Sequence, residues 1–392
     1  MPTRDAHPEP LVRFVAGTMT GTSIDGELDA ALVEIRGSGI GMAARFVAGR
    51  SHPLGALADD LRRVARQEPI AAAELARIAR SFGEAHAQAL ASLCDDAGVQ
   101  PDLAVLHGQT VFHAPPLTWQ LLDPWPVAVR LRCRVRYDLR GANVASGGQG
   151  APITPLADFI LFGSDRDASV VMNLGGFINA TLVPTRSAGA EAIRGFDVCA
   201  CNHLLDRVAR SRLQAAFDRD GAAAERGRCS EAIAREISLG IAPEAAGRHF
   251  RRSLGTGDEA ARLVERTAAL SPDDACRTVV EAIADAAVRV VEAETPRSAA
   301  QPPLRSILVA GGSARNGALL SALARRAGVP IATTEQSHGV PVHMREAAEI
   351  AILGALADDG VRFSLPQVTG ALSSVPESAL LQASIHAECA QV

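Results

Sequence analysis

The stretch LVRFVAGTMTGTSIDGELDAALVEI, residues 11–35, opens on an apolar run, LVRFVAG (11–17), and closes on another, LDAALVEI (28–35). Both runs have strand length and composition, and the segment between them is rich in Gly, Thr and Ser. The stretch therefore predicts a β-hairpin with an oversized, hydroxyl-rich turn. Gly17, Gly21 and Gly26 let backbone approach a ligand closely, and Thr18, Thr20, Thr22 and Ser23 offer amides and hydroxyls to anionic oxygens. Asp25 beside such a loop is repelled by phosphate unless a cation intervenes, which implies magnesium held through water. An ordinary hairpin turn also uses Asp-Gly, but it does not need so long a run of these residue types, so the loop reads as phosphate-binding.

A second hairpin follows the same plan: SVVMNLGG (169–176) turns into FINATLVP (177–184), with Gly175 and Gly176 at the bend and Asn173, Asn179 and Thr181 as polar handles. A further strand, SILVA (306–310), runs into AGGSARN (310–316) and a helix beginning near Arg315. There Gly311 and Gly312 make either a nucleotide-facing helix entry or a tight strand–helix turn. Helical periodicity covers 70–98, with Leu75, Ile78, Phe82, His86, Ala89 and Leu93 on one stripe ended by Gly98. It also covers 271–292, behind a Ser-Pro-Asp-Asp cap, and 345–358, which is apolar enough to be packed inside. DLAVL (102–106) is a buried strand leading to HGQT, while 186–191 and 294–303 read as surface loops.

Strands and helices alternate, and the two glycine-turn hairpins stand at the starts of two successive halves. The expected fold is α/β: two duplicated halves with a cleft between them, where ligands sit. The expected divisions are a tail over 1–10, a first half over 11–166, a second over 167–372 whose final helix packs back on the first, and a tail over 373–392.

In RGFDVCACN (194–202), Asp197 is either the N-cap of the following helix or a general base that deprotonates a hydroxyl or water. Cys199, Cys201 and His203 alternate, but no second Cys/His pair completes a zinc set. HGQTVFH (107–113) and SGGQGAP (146–152) are further polar clusters; His107 is either a buried structural histidine or, with Gln109 and Thr110, part of the cleft lining.

Composition narrows the chemistry. The 39 basic residues are all arginine, set against 44 acidic ones for a net charge of −5. Without lysine there is no Schiff-base chemistry, Walker-A lysine or protein-kinase lysine. Any nucleotide must be held by amides, hydroxyls, carboxylate-bound magnesium and arginine. Basic residues are spread rather than clustered, which argues against nucleic acid. No apolar run reaches the ~20 residues of a membrane span, and the start lacks a signal-peptide core, so a cytoplasmic location is expected. The seven scattered cysteines read as reduced thiols.

Taken in order, GTMTGTSIDG, LHGQTVFH, YDLRGANVASGGQGAP, MNLGGFINAT, GFD with Asn202, FDRDGAAAERG, LVAGGSARN, the glutamate of MREAA and PQVTGA resemble the anhydro-N-acetylmuramic acid kinase family over residues from about 12 to 372. The resemblance implies an actin-like sugar kinase, ATP, magnesium, a homodimer and a role in peptidoglycan recycling. It also implies the reaction: water opens the 1,6-anhydro sugar while the freed O6 takes the γ-phosphoryl group. On this basis Asp197 would be the base, and Gly21, Thr22, Ser23, Asp25, Gly175, Gly176, Gly311 and Gly312 would meet the nucleotide phosphates. His107, Gln109, Arg140, Gln149, Asn202 and Glu346 would hold the sugar. The chain departs from the family pattern after Asp197, where Val198-Cys199-Ala200-Cys201 replaces Thr-Gly-Pro-Gly, at PEAAGRH (243–249), at His343 and at a hairpin one residue longer. The alternatives are a sugar kinase of the same fold with an altered substrate, and a non-catalytic nucleotide- or sugar-binding sensor.

Overall fold

The computed structural model describes residues 11–21, 24–242, 258–295, 304–372 and 375–382, with backbone alone at 258–261. Thr22, Ser23, the PEAAGRH segment and most of the expected loop 294–303 lie outside the described residues. The chain divides into two compact units. One takes in the described residues up to Leu161 together with those from Glu346 onward, the other Phe162–Arg345. Residues 346–372, expected with the second half, thus group with the first, and the division at 166/167 falls at 161/162.

In the first unit, β1 (Val12–Met19), β2 (Glu27–Arg36) and β3 (Ala43–Pro53) form an antiparallel meander. β4 (Leu103–Leu106) then pairs parallel to β1. β5 (Gln109–Ala114) and β6 (Leu117–Leu121) make a separate hairpin, and β7 (Arg134–Tyr137) pairs parallel to β4. In the second unit, β8 (Ala168–Leu174), β9 (Phe177–Val183) and β10 (Arg194–Ala200) repeat the meander. β11 (Leu304–Ala310) and β12 (Ile331–Thr333) extend it in parallel. The orders β3-β2-β1-β4-β7 and β10-β9-β8-β11-β12 are the same in both units, which is the duplicated ribonuclease H-like topology.

The expected tail 373–392 is corrected within its described part. β13 (Ala379–Leu381) adds to the outer edge of β7, and Glu377 accepts backbone hydrogen bonds from Phe363 (2.6 Å) and Ser364 (2.8 Å).

Helix boundaries follow their end chemistry. The helix Ala72–Ala97 stops at Gly98, whose φ of 64° is the left-handed conformation that ends helices. The helix Pro272–Glu294 begins behind Ser271, which accepts from the Asp274 amide. The helix expected near Arg315 starts at Gly317, because Gly312–Arg315 is a 3-10 turn and Asn316 caps Gly317–Ala327.

Successive β1 residues point to opposite sheet faces, and this sorts their partners. Thr18 reaches His86 on helix Ala72–Ala97, while Gly17 faces helix Arg345–Asp358. A Cβ at Gly17 would lie 2.2 Å from the Ala347 carbonyl oxygen and 2.5 Å from the Ala351 nitrogen. Gly17 is therefore required by packing, not by a ligand, and this corrects its reading as part of the phosphate loop. Helix Arg345–Asp358 is buried along both Ala347–Ala348 and Ile350–Leu353, as its apolar sequence requires. Its far end is fixed by Asp358, which pairs with Arg134 at 2.7 Å and Arg136 at 3.2 Å on β7.

Gly17→Ala should cost about 1–3 kcal/mol through overpacking, read as a lower midpoint in urea or thermal unfolding. An unchanged midpoint would contradict this packing.

Candidate functional site

Parallel pairing of β8 with β11 sets Asn173 opposite Ala310, so the Gly175–Gly176 and Gly311–Gly312 bends leave the same end of the sheet side by side. Ligands of α/β sheets bind at that carboxyl end. The chain leaving β10 is tied to the first bend: Cys201 donates its amide to the Gly176 carbonyl (2.9 Å) and Asn202 donates to that of Gly175 (3.0 Å). Asn202 in turn accepts from the Ser313 hydroxyl, which joins the two bends through one side chain.

The four glycines are not equivalent. Added Cβ atoms at Gly176 and Gly311 would strike His203 Nε2 (2.8 Å) and Asn173 Oδ1 (2.5 Å), so these two serve internal packing. Gly175 and Gly312 meet nothing closer than 3.4 and 3.5 Å, leaving backbone that a ligand can approach.

Asp197 lies on β10, not at a helix N-terminus; the N-cap position belongs to Cys201. It stands opposite Asn179, immediately before a bulge that leaves Val198 without a partner position. Its neighbours Phe196 and Val198 are buried, whereas Asp197 is exposed. Bulges re-aim side chains beside sites, and this one lies directly beside the candidate base. Cys199 and Cys201 are both 0% exposed. Burial pushes the Cys201 thiol up to about 12 and that of Cys199 well above its ordinary value. They are core residues rather than reactive thiolates, and no cluster of potential metal ligands occurs among the described residues.

In the first unit the carboxyl ends of β1, β4 and β7 gather a second polar group. Thr20 donates to Gln109 Oε1 (2.8 Å), with both residues buried. Arg140 follows β7 and donates from Nε to His107 Nε2 (2.9 Å) and from Nη1 to the Gly150 carbonyl (2.8 Å). As an acceptor at Nε2, His107 is neutral with its proton on Nδ1, an assignment made from the network. Burial, and then the Arg140 charge, hold its pKa well below the usual histidine range. Burial lowers Arg140 to about 10, and Glu346 opposes that shift electrostatically. Gln149 is half-buried and donates its amide to the Thr369 carbonyl (2.8 Å). Gly21 is half-buried and accepts the Ile24 amide in the first loop, where Asp25 is exposed.

Asn143 was missed from sequence. Its Nδ2 donates to Thr369 Oγ1 (3.1 Å) and the Ala371 carbonyl (3.0 Å), and its Oδ1 accepts from the Gly150 amide (2.8 Å). It thereby fixes the Gly150 carbonyl that Arg140 needs. Asn in a short helix beside glycines gives no signal of this role, because two of its partners, Thr369 and Ala371, lie more than 200 residues away. His86, read only as part of a helical stripe, is fully buried with its Nδ1 2.8 Å from Thr18 Oγ1.

Burial lowers His86 to about 3. Between that value and the ordinary histidine pKa near 6.5, the unfolded chain holds a proton that the folded chain does not. The stability linked to a neutral His86 is therefore fully present above about pH 6.5 and is lost as pH falls toward 3, by the order of a few kcal/mol. His86→Leu should flatten the slope of unfolding free energy against pH across this window, as measured by urea melts. An unchanged slope would place the titration elsewhere.

The model of the anhydro-N-acetylmuramic acid kinase family matches residues 13–382. Among curated relatives, the anhydro-N-acetylmuramic acid kinase of Parasynechococcus marenigrum is 35% identical over 91% of this chain and 96% of its own. That of Salinibacter ruber is 32% identical over 94% and 96%, and that of Bordetella avium 35% over 92% and 93%. With the duplicated sheets and a match along nearly the whole chain, this protein belongs to the anhydro-N-acetylmuramic acid kinase family.

Proposed function

We infer that this protein is an ATP-dependent sugar kinase that hydrolytically opens 1,6-anhydro-N-acetylmuramic acid and phosphorylates O6, giving N-acetylmuramic acid 6-phosphate. The observation that carries this reading is the family match over residues 13–382, with relatives of that name near one-third identity. Cell-wall recycling, a cytoplasmic location and a homodimer follow from the same reading. No helix among the described residues is long and apolar enough to cross a membrane.

The residue roles are our proposals. Asp197, exposed on β10, takes a proton from the water that bonds to the anomeric carbon as the bond from that carbon to O6 breaks. Arg140, held by His107 and Gly150, orients the sugar with Glu346, and His107, Gln109, Gln149 and Asn202 complete its contacts. The open backbone at Gly175 and Gly312 receives the phosphates, with Gly176, Gly311 and Gly21 shaping the bends and the amides and hydroxyls of Thr22 and Ser23 adding phosphate contacts. The absence of lysine in the sequence leaves amides, hydroxyls and arginine to hold the nucleotide, and phosphoryl transfer needs mainly positioning and charge stabilisation.

Magnesium fits the donor set in one form. One exposed carboxylate in the first loop, Asp25, with no cluster of three or more potential metal ligands among the described residues, suits an ion that keeps several waters rather than one caged by protein. When bound, it would neutralise charge on the phosphates.

Asp197→Asn keeps the side-chain size and removes the base. Turnover on the anhydro-sugar should fall by about a hundred- to ten-thousand-fold while nucleotide binding persists in calorimetry. A variant as active as the parent would remove Asp197 from the chemistry. Wild-type protein inert toward the anhydro-sugar, but active on another amino sugar in a panel, would favour the altered-substrate reading.

A further inference from the structure

The helix Gly317–Ala327 follows the Gly311–Gly312 bend after one 3-10 turn and carries Arg325 and Arg326 in its last turn. From Gly317 to Arg325 the helix rises about 12 Å at ~1.5 Å per residue, so its two ends present separate surfaces. The C-terminal end borders an open depression of about 540 Å³ whose lining includes Arg228, Arg277, Arg325 and Arg326, with Glu231 and Glu281. All of these lie in the second unit.

The lining itself carries four arginines against two glutamates, with Asp285 and Asp274 beside it. Glu281, with its side chain 8% exposed, pairs with Arg277 at 2.8 Å, with Arg326 at 3.1 Å and with Arg325. Asp285, four residues further along the same helix, is shared between Arg326 (2.8 Å) and Arg289 (3.4 Å). A buried carboxylate that tied two helices together would need one guanidinium, and a second and third repel each other. Arg228 is exposed and comes from a different loop; its backbone amide donates to Asp274 (2.6 Å), whose carboxylate feels the Arg228 charge, but its guanidinium makes no salt bridge among the described residues. Arg277 and Arg325 each direct one nitrogen to Glu281, and the remaining donors of each five-donor fork are left for another acceptor.

We propose that this depression is a binding site for a small, multiply charged oxyanion, one carrying adjacent phosphate or carboxylate groups. Arginine forks match such groups by paired hydrogen bonds, and an anion would take the guanidinium donors that Glu281 and Asp285 leave unused. The site takes no part in the residue roles given above and stands or falls independently of them.

The test is isothermal titration of the full chain with inorganic pyrophosphate and, separately, citrate, at constant ionic strength. The variants are R228Q and R228Q/R325Q. Arg228 is exposed and the Arg325 side chain is 51% exposed; both variants leave Arg277 and Arg326 on Glu281, and thermal unfolding reports whether each folds. Saturable binding to the wild type, weakened about tenfold or more in the double variant and by a smaller factor in R228Q, is the expected result. Response to pyrophosphate alone identifies a phosphate ligand, and response to citrate alone a polycarboxylate. No saturable binding of either anion up to about 10 mM overturns the proposal. So does pyrophosphate binding that neither variant weakens, because that places the anion at the glycine bends instead.

Discussion

Parallel pairing between the first and fourth strands of each sheet is the constraint on which the candidate site depends. Asn173 opposite Ala310 brings two glycine bends to one sheet end, and Thr18 opposite Leu106 does the same for the first loop and the HGQT segment. A one-residue slip in either pairing would turn every side chain to the other face. It would also separate Asn202 from Ser313 and Thr20 from Gln109. The registers are protected by burial on both faces: Val15–Ala16 in β1 and Val170–Met172 in β8 are each 0% exposed.

The polar residues at these strand ends are held by charge suppression as much as by contact. His107 and His86 are kept neutral by burial, and Arg140 keeps its proton despite burial because its ordinary pKa starts so high. Burial lowers the pKa of a lysine as well, from a lower start. A chain whose basic residues are all arginine therefore has few groups able to lose charge here, which is why the proposed mechanism assigns its acid–base work to a carboxylate, Asp197.

The hairpins β1–β2 and β8–β9, the strands β4 and β11 and the three long helices were legible because each buries a regular stripe or a continuous apolar run. β3 and β10 were not. Both are edge strands, β3 half-exposed along its length and β10 broken by the bulge after Asp197. β13 hid in a weakly patterned tail because only three residues pair. In the site, the glycine bends were visible as composition, but composition does not separate Gly175 and Gly312, which leave room, from Gly17, Gly176 and Gly311, which are filled by the protein's own atoms. The Arg140–His107 bond and the Asn143 anchor arise from chain folding over long separations and leave no local pattern.

The central claim is that backbone at the carboxyl ends of β8 and β11 receives the phosphate chain of a nucleotide. A crystal structure with a non-hydrolysable ATP analogue tests it most directly. The account predicts phosphate oxygens within hydrogen-bonding distance of backbone amides at the Gly175–Gly176 and Gly311–Gly312 bends. An analogue bound elsewhere with both bends unengaged would contradict it.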